Sequence, residues 1–263
     1  MTQVSIKEYA VADGGPYALT TGPDGALWFT MVQSGRIGRL APGGEPSYHE
    51  LEPTCGPTVI TTGPDGALWF TEYQAHRIGR LTTHGAVTEF ALPTPGCGPF
   101  GIAAGPDGAL WFTETTADRI GRITTAGQVV EFPLPTTGAF PSAISAGPDG
   151  AMWFTMNQAN AIGRIGMDGV VTVHPLPSPA AAPVGITTGQ DGALWFTEWS
   201  GNRVGSITAQ GVIEVYDLPT PGAEPHGIVC GPDGALWTAL EIGALACISP
   251  TTVPSVSGVA PCP

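Results

Sequence analysis

The chain alternates short apolar runs with turn residues, and it does so on a fixed period. Gly-Pro-Asp-Gly-Ala-Leu-Trp-Phe-Thr stands at 22–30, 63–71 and 105–113, and with one substitution each at 147–155 (Met152) and 189–197 (Gln190). A last, degraded copy at 231–239 ends Trp237-Thr238-Ala239. The units are anchored on Pro16, Pro57, Pro99, Pro141, Pro183 and Pro225, 41 or 42 residues apart. A period of this size is the signature of stacked or circular repeats.

The second unit shows the pattern within a repeat. Thr58 to Thr62 is a short β-favouring run, and Pro64-Asp65-Gly66 follows as a hairpin signal. Ala67 to Thr71, around Trp69, is the second strand, Arg77 to Leu81 the third, and Ala86 to Leu92 alternates as a fourth. Four short antiparallel strands and no helix signal predict a propeller blade. Six units therefore predict an all-β, six-bladed β-propeller, one domain over residues 1–250. The sixth unit lacks a fourth strand, while Val4–Ala10 resembles the fourth strands of later units. That N-terminal strand is expected to complete the last blade, closing the ring and hiding an open edge. Residues 251–263 are expected to form a mobile tail.

Repetition gives most of the conspicuous side chains a structural duty. The Trp of each unit is expected to pack blade on blade. The third-strand arginines are expected to partner carbonyls and the turn Asp, and that Asp to serve the turn. His49, His76, His84 and His174 fall at scattered places and are expected on the surface.

Composition narrows the partners. Nine basic residues against 22 acidic ones give a net charge of −13, which repels phosphate backbones and anionic membranes. Nucleic acid and membrane are therefore not expected as partners. No apolar run is long enough to span a bilayer and the N-terminus has no signal-type core, so a cytoplasmic monomer is expected. The five cysteines match no zinc spacing. Cys55 and Cys97 occupy equivalent places and are expected reduced.

In a repeat protein, chemistry is sought where the repeat breaks. The residues after each anchor are Tyr17, Thr58, Phe100, Ser142, Val184 and His226. The ends of the second strands are Met31, Glu72, Glu114, Met156 and Glu198, and both sets are expected at the mouth of the central channel. In the sixth unit the acid comes one residue later, as Glu241. If Asp233-Gly234 is a two-residue turn, His226 pairs with Glu241, and Glu224 stands one side-chain period away on the same face. Two carboxylates suit Mg²⁺, which keeps several waters, and a neutral histidine suits a general base. Spacing alone leaves open a rim of merely solvated polar groups.

At these residues the chain resembles the streptogramin B (virginiamycin B) lyase family along essentially its whole length. The matching pieces are the iterated Gly-Pro-Asp-Gly-x-Leu-Trp-Phe-Thr-Glu, the Arg-Ile-Gly-Arg-Ile/Leu-Thr third strand and the Glu-Phe-x-Leu-Pro fourth strand. More specific are Glu224-Pro225-His226-Gly227-Ile228 and Trp237-x-Ala239-Leu240-Glu241. The resemblance implies a Mg²⁺-dependent enzyme that linearises cyclic depsipeptide antibiotics by elimination at the ester. It implies Glu224 and Glu241 as metal ligands and His226 as the base. Tyr17, Phe100, Glu198 and Trp199 are the expected substrate contacts. The family has seven blades against six units here, and a histidine where Val184 stands. Two other readings remain: a propeller scaffold or binding protein, inactive or engineered, which the near-identity of the units favours, and a metal-dependent lactonase.

Overall fold

The structure is a computed structural model that describes residues 14–231 and 234–249. It is a six-bladed β-propeller of antiparallel strands, with no helix among the described residues. Blade 1 holds β1 (Pro16–Thr21), β2 (Leu27–Met31), β3 (Arg36–Leu40) and β4 (Ser47–Glu50). Blade 2 holds β5 (Pro57–Thr62), β6 (Leu68–Glu72), β7 (Arg77–Leu81) and β8 (Val87–Ala91). Blade 3 holds β9 (Pro99–Ala104), β10 (Leu110–Glu114), β11 (Arg119–Ile123) and β12 (Val129–Pro133). Blade 4 holds β13 (Pro141–Ala146), β14 (Met152–Met156), β15 (Ala161–Ile165) and β16 (Val171–Pro175). Blade 5 holds β17 (Pro183–Thr188), β18 (Leu194–Glu198), β19 (Arg203–Ile207) and β20 (Ile213–Asp217). Blade 6 holds β21 (Pro225–Cys230), β22 (Leu236–Leu240) and β23 (Ala244–Ile248). Its expected fourth strand, Val4–Ala10, and the expected tail 251–263 lie outside the described residues.

The repeated residues build one interface over and over. Trp28 and Ile37 of blade 1 are buried against Ile60, Leu68, Phe70 and Leu81 of blade 2. Trp69 and Ile78 of blade 2 meet Ile102, Leu110, Phe112 and Ile123 of blade 3 in the same way. Truncating one such Trp to Ala costs about 3–5 kcal/mol. Gly79 is required by this packing, because a Cβ there would come 2.1 Å from the Phe70 ring.

A hydroxyl joins each blade to the next. Thr71 donates to the Phe100 carbonyl at 2.6 Å and Thr113 to the Ser142 carbonyl at 2.7 Å. Thr30, Thr155 and Thr197 do the same toward Thr58, Val184 and His226. In blade 6 this place is Ala239, since β22 pairs Leu240 with Pro225 as β6 pairs Glu72 with Pro57.

The turn Asp has the duty expected of it. Asp65 accepts from the Trp69 indole at 2.9 Å and from Arg80 at 2.7 Å. Burial alone would raise the Asp65 carboxyl, but these bonds and one from the Ala67 amide hold it below the usual carboxylate range. The fourth strand lays a ring on the same indole: Phe90 stacks on Trp69 at 5.6 Å. His49 and His174 take that place on Trp28 and Trp153, so they are half-buried stacking partners and not the surface histidines expected. Cys55 and Cys97 are buried free thiols.

The first and last blades each keep one face uncovered. Inner strands pack in sequence from β1 to β21, but no packing of that extent joins β21 to β1 among the described residues. Leu19 is 69% exposed and Leu245 68%, whereas their counterparts Ile60 and Ile78 are buried. Beside β23 runs a groove of about 890 Å³, lined by Trp195, Tyr216, Leu245 and Ile248 among others.

The second-strand ends correct the expectation that they open on the channel. Met31, Glu72, Glu114, Met156 and Glu198 are all fully buried. Arg77 binds Glu72 at 2.9 Å. Glu114 has no hydrogen-bond donor on either carboxylate oxygen and faces Glu131. Burial, and then Glu131, push Glu114 up to about 8. Its carboxyl therefore binds a proton more tightly in the folded protein than in the unfolded one. The resulting stability is fully present below the ordinary value near 4.5 and is lost as pH rises through about 8. Glu114→Gln, permanently neutral, should leave the melting temperature little changed at pH 5 and raise it at pH 9, read by thermal melts at both. Thr113→Val should cost about 1–3 kcal/mol in denaturant unfolding, because it strips partners from the Gly101 amide and the Ser142 carbonyl.

Candidate active site

Glu224, His226 and Glu241 come together on blade 6. The His226 Nε2 is hydrogen-bonded to Glu241 Oε1. Glu241 also interacts with the neighbouring carboxyl of Glu224. The two acids and the imidazole are solvent-accessible: His226 is 46% exposed in its side chain and Glu241 50%.

The route to this convergence differs from the expected register. Gly234 has φ +84° and donates to the Gly231 carbonyl, while Gly231 pairs with Ala235. The glycine thus takes an extra place in the turn, so Ile228 pairs with Thr238. A further irregularity then brings Pro225 opposite Leu240. Glu241 lies just past the end of β22, where its amide donates to the Ala223 carbonyl at 3.0 Å. Glu241 thus holds the place just past the second strand that Val32, Tyr73, Thr115, Asn157 and Trp199 hold in the other blades.

Local backbone sets each side chain. The residue before every anchor proline is left-handed: Gly15, Gly56 and Gly98, then Phe140, Ala182 and Glu224 at φ +49°. Glycine suits that conformation, and a side chain there costs about 1–2 kcal/mol. Asn202 Oδ1 accepts from the Ala223 amide at 2.6 Å and steadies the loop carrying Glu224. Thr197 holds the His226 carbonyl at 2.6 Å. Gly185 lets β17 approach, since a Cβ there would stand 2.7 Å from the His226 carbonyl oxygen. Asn202 and Gly185 carried no sequence signal beyond turn and strand glycine.

The electrostatics separate the two acids. The bond from His226, and then the contact with Glu224, hold Glu241 below the usual carboxylate range. The contact with Glu241 raises Glu224. Two carboxylates in mutual contact are two acceptors, reconciled by a proton or a cation. That donor set fits Mg²⁺, which takes one or two carboxylates and completes its shell with water. Among the described residues, no group of three His, Cys, Asp or Glu side chains is arranged to hold a metal ion by itself, so water would complete the shell.

The other expected contacts are divided. Trp199 stands beside His226, ring centroids 6.4 Å apart. Tyr17 meets Phe100 edge-on at 6.1 Å, with Tyr73 at 6.4 Å from Phe100. Glu198 is fully buried, raised by that burial, and near Ser178 and Arg203, so it does not present its carboxylate at the mouth.

The sequence profile of the Virginiamycin B lyase family matches residues 4–198 and 191–248. The chain belongs to the virginiamycin B lyase family. The solved virginiamycin B lyase from Staphylococcus aureus superposes with a TM-score of 0.85 at 40% identity, covering 92% of this chain and 86% of that one. A catalytically inactive histidine-to-alanine variant of the Staphylococcus aureus enzyme, solved with quinupristin, matches equally well. Virginiamycin B lyase of Saccharopolyspora erythraea is 61% identical over 94 residues, a segment spanning 35% of this chain and 31% of that protein. The matches thus span less than a third of these curated relatives' length. A putative gluconolactonase, 18% identical with a TM-score of 0.65, shares the fold. No helix among the described residues is long and apolar enough to cross a membrane.

The strain at residue 224 gives a direct check on the local account. Glu224→Gly should stabilise the fold by about 1 kcal/mol in denaturant unfolding.

Proposed function

We propose that this chain is a Mg²⁺-dependent C–O lyase, a cytoplasmic monomer that opens cyclic depsipeptides of the streptogramin B type at the ester by elimination. The observation that carries this reading is the meeting of Glu224, His226 and Glu241 on the blade that departs most from the repeat. The solved relative with quinupristin, inactive after loss of one histidine, supports the substrate class and the need for an imidazole.

Each residue has a role that follows from its contacts. With Nε2–H donated to Glu241, His226 keeps the Nδ1 lone pair for accepting a proton. That nitrogen takes the Cα proton of the ester-bearing threonine unit. The electron pair forms the Cα–Cβ double bond, and the Cβ–O bond breaks with departure of the carboxylate. Glu241, kept ionised, steadies the imidazolium that results. Glu224 and Glu241 would hold the Mg²⁺, which when bound polarises the ester carbonyl and favours the leaving carboxylate. Tyr17, Phe100 and Tyr73 offer aromatic surface for apolar groups of the ring.

Elimination leaves the mass of the antibiotic unchanged on ring opening, whereas a lactonase adds one water. Incubation with a streptogramin B and Mg²⁺ should give a linear product of unchanged mass by mass spectrometry with chromatography. His226→Ala should lower the rate by about 10²–10⁴-fold. A product heavier by one water would point to the lactonase. No ring opening by the wild-type protein would leave a binding propeller.

A further inference from the structure

The interfaces inside the molecule all join the same two faces. One carries the Trp and the third-strand Ile, as Trp69 and Ile78 do; the other carries an inner-strand Ile with a second-strand Leu and Phe, as Ile102, Leu110 and Phe112 do. Blade 6 ends on a face of the first kind and blade 1 begins on one of the second. Neither is covered as its counterparts are. Leu27 is 42% exposed where Leu68 and Leu110 are fully buried, and Trp237 is half-buried where Trp69 and Trp111 are fully buried. Leu19 and Leu245 are bare in the same way. On blade 1 the open face forms a groove of about 330 Å³ lined by Tyr17, Leu19, Leu27, Phe29 and Leu40 among others.

The inner strand of blade 6 also keeps a clearance for a neighbour. On β9, a Cβ at Gly101 would stand 2.3 Å from the Ser142 carbonyl oxygen of blade 4, and on β17 one at Gly185 would stand 2.7 Å from the His226 carbonyl oxygen of blade 6. Gly227 holds the same place on β21, and nothing lies within 4 Å of a Cβ there. On blade 1, Tyr17 holds the place of Thr58, whose carbonyl accepts from the Thr30 hydroxyl of the blade before it. A Trp-Phe-Thr strand set against β1 would have the Tyr17 carbonyl to bind. Terminal repeats adapted to water carry polar outer faces. Leu19, Leu27 and Leu245 are not of that kind.

We propose that the open faces of blades 6 and 1 are a docking site for one further unit of this repeat, a single four-stranded blade seated between them. Its Leu, Phe and Ile face would cover Trp237 and Leu245, and its Trp face would cover Leu19 and Leu27. One unit carries both faces, so it covers both ends at once. A second copy of the chain, seated by its blade 1 on blade 6, would leave its own blade 6 and the first copy's blade 1 bare. Residues 1–13 and 250–263 are each far shorter than a unit of 41 or 42 residues. The proposal is independent of the lyase reading, because it rests on the faces alone.

The test adds a peptide of residues 57–98, the second unit, to the full chain. Sedimentation should show a one-to-one complex, and the melting temperature should rise by about 5 °C or more. Leu19→Lys changes a side chain already in water, so the free protein should melt as before while the peptide binds at least about tenfold more weakly. If the peptide stays unbound, a seven-unit variant decides, made by repeating residues 57–98 after Gly98. It should melt above the parent chain and bind about half as much of a dye that reports exposed apolar surface, or less. A seven-unit chain that melts below its parent would overturn the proposal. So would a wild-type mass that doubles with concentration and returns to one chain in Leu19→Lys, which would make the occupant a second copy. A wild-type chain that binds no dye has covered the faces with its own residues, and that result also overturns it.

Discussion

The molecule depends on one contact made repeatedly: an indole on one blade buried against the Leu, Phe and Ile face of the next. A unit of about 42 residues has two apolar faces and no means of covering either alone. Stacking solves this, and the threonine hydroxyls that cross to the following carbonyls fix the spacing of the stack. The turn Asp supports the same contact from outside, binding the indole and the third-strand Arg together. Residues so committed cannot change without disturbing two blades. Variation is thereby confined to strand ends, and the acids and the imidazole of blade 6 stand there.

The period, the strand count of the first five blades and the duty of the Trp and turn Asp residues were legible from the chain alone. Arg77–Leu81 falls where the alternation placed it. The pairing of His226 with Glu241 was legible as a break in the repeat, though not by the route the backbone takes. A two-residue turn was the simplest reading of Asp233-Gly234, but a left-handed glycine consumes a place and slips the register by one. Glu72, Glu114 and Glu198 defeated the pattern for a different reason. A glutamate reads as polar whether it is wet or buried, and only the neighbouring Arg or acid reveals which. The approach of Trp199 to His226 joins two blades and has no signature within either.

The site combines strain with exposure. Glu224 sits in a conformation that three other blades give to glycine, and its carboxylate touches a second one. Both suit the proposed role of Glu224, a carboxylate that would hold a cation. The asymmetry between the two acids, one raised and one lowered, keeps a charge beside the imidazole whichever of them holds the proton.

The missing hydroxyl of blade 6 has a consequence of its own. Five blades spend the end of the second strand on gripping a successor through a threonine hydroxyl, with a buried Glu or Met beside it. The sixth has Ala239 and Leu240 there, and Ala239 has no hydroxyl to donate. Without that hydroxyl the end of the second strand is not tied across in this manner, and the acid that follows, Glu241, is exposed. The proposed site thus falls on the spoke that lacks the threonine relay, and new chemistry on such a scaffold would be sought at the same spoke.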